Sequence, residues 1–214
     1  DCVVSNSNFT KQLAINLGIE KQKIKIIFPG INKPEKIEDK FDLKSKNIFQ
    51  NSFPKIITVA RLEKRKGHEK ILMSIKNLKA KYPNIKYISI GGGNEKNNLT
   101  KLCEELGLDK EVSFLENIDN SLKIALIKNS NLFLMPTIID SRSVEGFGIS
   151  YVEAASYGVS SIGGKDGGAS DAILHEKTGF ICDGNDLNSI YSSIEKIIEN
   201  EKYKEFGKEA EKFS

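Results

Sequence analysis

A doubly wound, parallel α/β sheet is the fold class predicted, and three observations predict it. From Lys55 onward short apolar runs alternate with stretches whose apolar residues recur at helical spacing. Most of those runs open into loops rich in glycine or basic residues. The chain of 214 residues, 39% hydrophobic and 29% charged, suits one α/β domain of generous size. Strands alternating with helices of this length imply βαβ units and a parallel sheet.

Taken in order, residues 1 to 31 stand somewhat apart. Cys2 to Val4 reads as a short strand, Phe9 to Leu17 as a helix ended by Gly18, and Ile24 to Phe28 as a second strand broken by Pro29-Gly30. The lysine-rich stretch from Asn32 to Ser52, with Pro34, reads as a linker or hinge holding at most one helical turn. The alternation then begins. Strands are predicted at 56–60, 85–90, 112–115, 132–135, 160–162 and 179–182. Helices are predicted at 68–80, 95–106 and 121–128, in the segment after Gly148, along the stripe from Leu187 to Ile198, and from Glu201 to Lys212. No internal repeat is visible.

Composition excludes several function classes. The formal charge is only +3, so no polyanion and no nucleic acid is implied as a partner. No apolar run approaches membrane-spanning length and no N-terminal signal pattern is present, and three isolated thiols, an odd number, make a reduced, cytoplasmic setting the expectation. Cys2, Cys103 and Cys182 are isolated thiols, and no set of His, Cys or Asp has metal-ligand spacing. We therefore expect no bound metal and no cofactor. His68 reads as a first-turn residue of its helix and His175 as a surface residue; Asp171 and Glu176 read as helix-end charges.

Open α/β sheets bind ligands outside the carboxyl ends of their strands. That rule selects the loops at 61–67, 91–94, 116–118, 137–148 and 163–168. The richest of these precedes a helix: Glu145-Gly146-Phe147-Gly148-Ile149, with Glu153 further along. Glycine there lets a ligand approach the backbone, and first-turn amides attract anions. Glu153 falls inside the helix, where its carboxylate can accept hydroxyl hydrogen bonds. One carboxylate near phosphates and one near hydroxyls suits a sugar nucleotide. A glycine turn opening a surface helix with two solvated glutamates accounts for the stretch as well, and both readings stay open at this point. All but three of the 32 basic residues are lysine, and the three arginines, Arg61, Arg65 and Arg142, fall in two of the selected loops. Arginine binds phosphate through a planar fork that lysine lacks. Arg61 and Lys66 together can neutralise a diphosphate. Charge, and no dinucleotide glycine fingerprint, follows the first strand of the alternation, which counts against NAD.

In combination, Val59-Ala60-Arg61-Leu62 with Lys66-Gly67, Ile90-Gly91-Gly92-Gly93, the Glu145 to Glu153 segment, Gly167-Gly168-Ala169 and Lys177-Thr178-Gly179 resemble a known family. It is the nucleotide-sugar-binding C-terminal domain of family 4 glycosyltransferases, enzymes of the two-domain GT-B fold. The likeness runs through most of the chain. Ser141-Arg142-Ser143 and Tyr151 bring the wording nearest to mannosyltransferases acting on phosphatidylinositol mannosides.

The resemblance implies roles residue by residue. Arg61 and Lys66 would hold the diphosphate, Glu145 the hydroxyls of the transferred sugar, and Glu153 the ribose. The amides near Phe147 and Gly148 would lie close by, with Gly92 and Ile149 beside the donor and the backbone of Asn117 and Ile118 meeting the base. Arg61, Lys66 and Glu145 would be the catalytic set of a retaining hexosyl transfer without an essential metal, from a donor such as GDP-mannose. Two positions depart from the pattern: Glu116 stands where glycine is common, and Asp171 where glutamate is common. Residues 1–31 resemble the end of the N-terminal, acceptor-binding domain, and 32–214 the donor domain. The chain is thus expected to be part of a longer enzyme and inactive alone. Its acceptor, a glycan or a lipid-linked sugar, would be held by the other half, through which peripheral membrane association is also expected. The competing readings are a sugar-nucleotide epimerase of the same fold and a non-catalytic nucleotide-binding module.

Overall fold

A computed structural model describes residues 2–32 and 36–214. Two parallel sheets are present. The first is small: β1 (Val3–Ser5) pairs with β2 (Ile24–Ile26), linked through α1 (Asn8–Asn16). Ser7 caps α1 through a reciprocal pair with Thr10, the reason the helix starts directly after the polar turn.

The second sheet has six parallel strands: β3 (Lys55–Val59), β4 (Lys86–Ile90), β5 (Val112–Leu115), β6 (Leu132–Met135), β7 (Ser161–Gly164) and β8 (Gly179–Cys182). Their order is β5-β4-β3-β6-β7-β8, so the chain winds outward from β3 to one edge, returns to β6, and winds to the other. This is the doubly wound arrangement the alternation predicts. Strand side chains alternate between two helical layers with period two. Ile56, Tyr87, Leu132 and Leu134 enter one core with α3 (His68–Leu78), α4 (Lys96–Glu105) and α8 (Leu187–Ile198). Ile57, Ile88, Phe133 and Met135 enter the other with α5 (Asn120–Lys128) and α6 (Ile149–Ser156), where α7 (Ala169–Ala172) also lies. The closing helix α9 (Lys202–Phe213) buries Phe206 and Ala210, and its Gly207 lies so close to Gly158 that a Cβ would stand 2.1 Å from the carbonyl oxygen.

One stretch departs from expectation. Where a linker was predicted, Asp39–Ile48 forms a ten-residue helix, α2, followed by the buried Phe49. Its inward face runs Phe41, Ser45, Ile48, Phe49, and the serine breaks the apolar stripe that would have announced it. Asn129 Nδ2 compensates by donating to Ser45 Oγ at 2.6 Å and Asp42 Oδ1 at 2.9 Å. Pro34, within the predicted linker, lies outside the described residues.

One smaller reading changes as well. Glu176 is not a helix-end charge but sits in a turn at φ 60°, its amide donating to Gly179 O. Asp171 is a helix-end charge as read, in the first turn of α7, and its carboxylate also accepts the amide and Nδ2 of Asn8 at the start of α1.

His68 is buried and more than a first-turn residue. Its ring bridges Arg61 O, 3.3 Å from Nε2, and Tyr87 Oη, 3.2 Å from Nδ1, and Tyr87 reaches Thr58 of β3. Burial is the main cause that lowers its pKa from 6.5 to about 4, against the opposing bond to Arg61 O. The folded protein thus holds this ring neutral where the unfolded chain would bind a proton. That contribution is complete above the unfolded value and is lost as pH falls toward the folded one. Between about pH 7 and about pH 5 the protein should lose about 2 kcal/mol from this source. Urea unfolding of wild type and His68→Gln at the two pH values checks it; equal pH dependence in both removes His68 as the cause.

Candidate functional site

The strand order places one crevice in the large sheet. β3 and β6 are neighbours, yet the chain leaves β3 toward one edge and β6 toward the other, so the loops that follow them part above their carboxyl ends. Residues 60–67 form the first loop and residues 136–148 the second. Their contact is close. Ile138 N donates to Arg65 O at 2.9 Å, and a Cβ on Gly67 would stand 2.4 Å from Pro136 O. Gly67 also adopts φ 75°, which lets the Lys64–Lys66 turn pass directly into α3.

A chain of charges crosses this contact. Glu145 Oε2 accepts both the Lys66 ammonium and, at 3.1 Å, Arg65 Nη1. Arg65 Nε in turn donates to Glu63 Oε2 at 3.0 Å, and the other oxygen of Glu63 takes Arg61 Nη1 at 2.7 Å. Exposure divides the cations: the side chain of Arg61 is 71% exposed, those of Arg65 and Lys66 only 11% and 10%. Arg61 therefore lies at the surface, paired with Glu63, and the other two are buried against Glu145. Burial lowers the pKa of Lys66, and the charge and hydrogen bond of Glu145 only partly offset it. For Glu145 burial raises the pKa, but Lys66 and then Arg65 outweigh it, so the carboxyl is held below its ordinary range and stays ionised at neutral pH.

Glycines shape the far wall. Gly148 starts α6 at φ 89°, with the Tyr151 ring 2.4 Å from where a Cβ would be. Below it Tyr151 Oη donates to Met135 O at 2.5 Å, seating the helix on β6. Tyr151 N donates to Gly148 O at 2.9 Å, and the leading amides of α6, those of Ile149 and Ser150, precede the first possible intrahelical acceptor. Gly168 N donates to Glu145 O, and a Cβ on Gly168 would stand 2.1 Å from Gly146 O, while Gly167 takes φ 132° with a Cβ 2.6 Å from Glu145 O. Phe147 is buried, its ring centroid 5.8 Å from that of Phe28. An open cleft of about 340 Å³ results, lined by Arg61, Arg65, Lys66, Glu145, Gly146 and Asn6 among others.

The structure thus gathers Arg61, Lys66, Glu145, Gly146, Phe147, Gly148 and Ile149 at one place. Glu153 lines an adjoining cleft of about 350 Å³, and Ile149 borders both. Its carboxylate is engaged by Lys123 Nζ at 2.5 Å. Gly92, Asn117 and Ile118 stand at the ends of β4 and β5, one and two strands from the crevice. Asn117 takes φ 51°, and Gly92 O accepts Leu62 N at 2.8 Å. A Cβ at Gly92 would meet the Glu116 carboxylate at 3.0 Å, while a Cβ at Gly91 or Gly93 would strike the backbone at Ala60 or Leu62. The triple glycine is therefore a matter of close packing between neighbouring loops as well as of turning the chain.

Three site residues were missed in the sequence. Arg65 sat in view among the basic loop residues, but nothing local shows that it turns inward where Arg61 turns out. Lys123 and Asn6 come from distant segments and carry no local signal. Among the described residues no cluster of three His, Cys, Asp or Glu side chains is gathered as a metal ion would require, and no helix is long and apolar enough to cross a membrane. Burial pushes the Cys103 thiol up to about 11 and that of Cys182 up to about 12, so neither is a ready nucleophile.

Comparison with known proteins gives this geometry a family. A GDP-mannose-dependent alpha-(1-6)-phosphatidylinositol monomannoside mannosyltransferase of Mycolicibacterium smegmatis is 30% identical over 147 residues, 68% of this chain and 38% of that protein. The capsular polysaccharide biosynthesis glycosyltransferase CapM of Staphylococcus aureus is 28% identical across 95% of this chain and 53% of its own. The chain spans about half or less of the length of these relatives. Among solved structures, Anabaena HepE in complex with UDP and glucose superposes with a TM-score of 0.85 at 22% identity, covering 99% of this chain and 57% of that one. The C-terminal domain of LpcC from Francisella tularensis superposes at 0.70 and 18% identity, over 86% of this chain and 95% of that one. Residues 39–213 match the model of the glycosyl transferases group 1 family, and the chain belongs to that family.

Proposed function

We propose that this chain is the donor-binding part of a retaining, metal-independent glycosyltransferase. It would move a hexose, mannose in our reading, from a GDP-sugar to a hydroxyl of a lipid-linked or glycan acceptor. The observation that carries the reading is the switch-point crevice, where an exposed Arg61 and a buried Lys66–Glu145–Arg65 cluster face the start of α6. The relatives named as GDP-mannose-dependent support the choice of donor.

In this reading residues 32–214 form the donor half, and residues 1–31 belong with the acceptor half, held in the part of the relatives' length that this chain does not span. Arg61 and Lys66 take the diphosphate. Lys66 carries three N–H donors, so holding Glu145 leaves others for phosphate oxygens. The bond between the anomeric carbon and the β-phosphate oxygen breaks with its electron pair going to the phosphate. The two cations stabilise the charge that develops there. The acceptor oxygen then bonds the same carbon, and its proton passes to the departing phosphate. Glu145 holds hydroxyls of the transferred sugar, and Glu153 holds the ribose, with Lys123 fixing its carboxylate. A cytoplasmic site of action fits a soluble sugar nucleotide.

Three outcomes test this. Arg61→Ala and Lys66→Ala should each weaken GDP binding by about 1.5–3 kcal/mol, the value of a charge-assisted contact, with Arg61 at the lower end because of its exposure. Calorimetric affinities equal to wild type in both variants remove the diphosphate assignment. Glu153→Gln should weaken GDP while leaving pyrophosphate nearly unchanged; parallel losses would assign Glu153 to the phosphates or to the helix. Finally, the 214-residue chain should bind GDP-mannose yet transfer nothing to a lipid or glycan extract, because most of the acceleration comes from holding both reactants together. Robust transfer by this chain alone would move the acceptor site onto it.

A further inference from the structure

We propose that Arg65 is a positioning residue for Glu145, engaging one carboxylate oxygen so that the other is presented to a hydroxyl of the donor sugar. This rests on the donor reading above and assigns a division of labour within the basic loop. Arg65 and Lys66 both reach Oε2 of Glu145, and among the described residues no group bonds Oε1. The carboxylate lines the cleft, so its unshared oxygen is the acceptor available there.

Arg65 is itself fixed at both ends. Its carbonyl accepts Ile138 N, tying it to the loop that carries Glu145, and its Nε is held by Glu63. A planar guanidinium anchored through Nε sets the direction of Nη1, whereas the ammonium of Lys66 can pivot on a flexible stem. Two buried cations side by side carry an electrostatic cost, and Arg65 is among the causes that lower the pKa of Lys66. A phosphate role alone gives no reason to bury Arg65 against a carboxylate; orienting that carboxylate does.

Charge faces Glu145 from several elements. Lys66 and Arg65 come from the loop after β3, with Glu63 behind Arg65. Tyr151 comes from α6, and burial keeps its phenol protonated. His68, behind Lys66, is neutral above about pH 4. Loss of Arg65 leaves burial opposed by Lys66 alone, which moves the Glu145 carboxyl upward.

The test titrates the 214-residue chain calorimetrically with GDP and with GDP-mannose from about pH 5 to about pH 7, where a carboxyl moved upward shows first at the acid end. The quantity read is the ratio of the two affinities. In wild type the ratio should favour GDP-mannose and stay flat with pH. Arg65→Met should lower it roughly tenfold near neutrality, and further toward acid, while GDP alone changes little. Arg65→Lys, keeping the charge without the fork, should restore the flat profile but only part of the ratio. Circular dichroism establishes that each variant is folded. If Arg65→Met fails to fold, Glu63→Gln loosens the same guanidinium while removing no cation, and should lower the ratio by a smaller factor.

An unchanged ratio and profile in the variant tested overturns the role. So does an equal loss for GDP and GDP-mannose at every pH, which makes Arg65 a phosphate contact. A wild type that binds neither nucleotide removes the donor reading itself, and this role with it.

Discussion

The site depends on a buried ion cluster that ties two loops together over the middle of a parallel sheet. Glu145 belongs to the loop after β6, and Lys66 and Arg65 to the loop after β3. Desolvating three charged groups is expensive, and buried salt bridges contribute little net stability once that cost is counted. The cluster is therefore better understood as a specification of geometry. It ties the two loops to each other across the crevice and leaves Arg61 outside, paired with Glu63. Removing Glu145 would leave two cations side by side in a poorly solvated place, whereas removing either cation leaves the carboxylate paired with the other.

Close approach of backbones makes this arrangement possible. The loops after β3, β4, β6 and β7 meet above the carboxyl edge of the sheet, and at several contacts a single Cβ would collide with a neighbouring carbonyl. Gly67 against Pro136, Gly93 against Leu62 and Gly168 against Gly146 are the sharpest cases. Glycines that look like flexible punctuation in the sequence are here packing residues. The polar network behind them, from Arg61 O through His68 and Tyr87 to Thr58, gives the basic loop a rigid back wall. Rigid support behind a site is what keeps charged side chains in register with a ligand without rearrangement.

The small sheet formed by β1 and β2 contributes more to the site than its size implies. Asn6 lines the cleft, Phe28 stands against Phe147, and Asn8 is held by the Asp171 carboxylate. Contacts from both sheets converge on the short segment 145–148. That segment is thus the junction of the architecture as well as the wall of the candidate site.

Periodicity and punctuation were enough to determine the doubly wound class, most strand and helix positions, and the loops able to meet a ligand. Those features follow from local chemistry: alternation by two or 3.6, glycine at turns, a basic run after a strand. The helix at Asp39–Ile48 escaped because Ser45 occupies its inward face, and only a tertiary partner, Asn129, makes a serine acceptable there. Sequence placed Arg61, Arg65 and Lys66 in one loop but could not tell which pointed out. The order of strands decided that, by setting Glu145 opposite Lys66 and Arg65 across 79 and 80 residues of chain. Pairing of Glu153 with Lys123 across 30 residues was decided in the same way. Side-chain direction at a crevice is set by charges that arrive from elsewhere in the fold, and no local pattern carries that information.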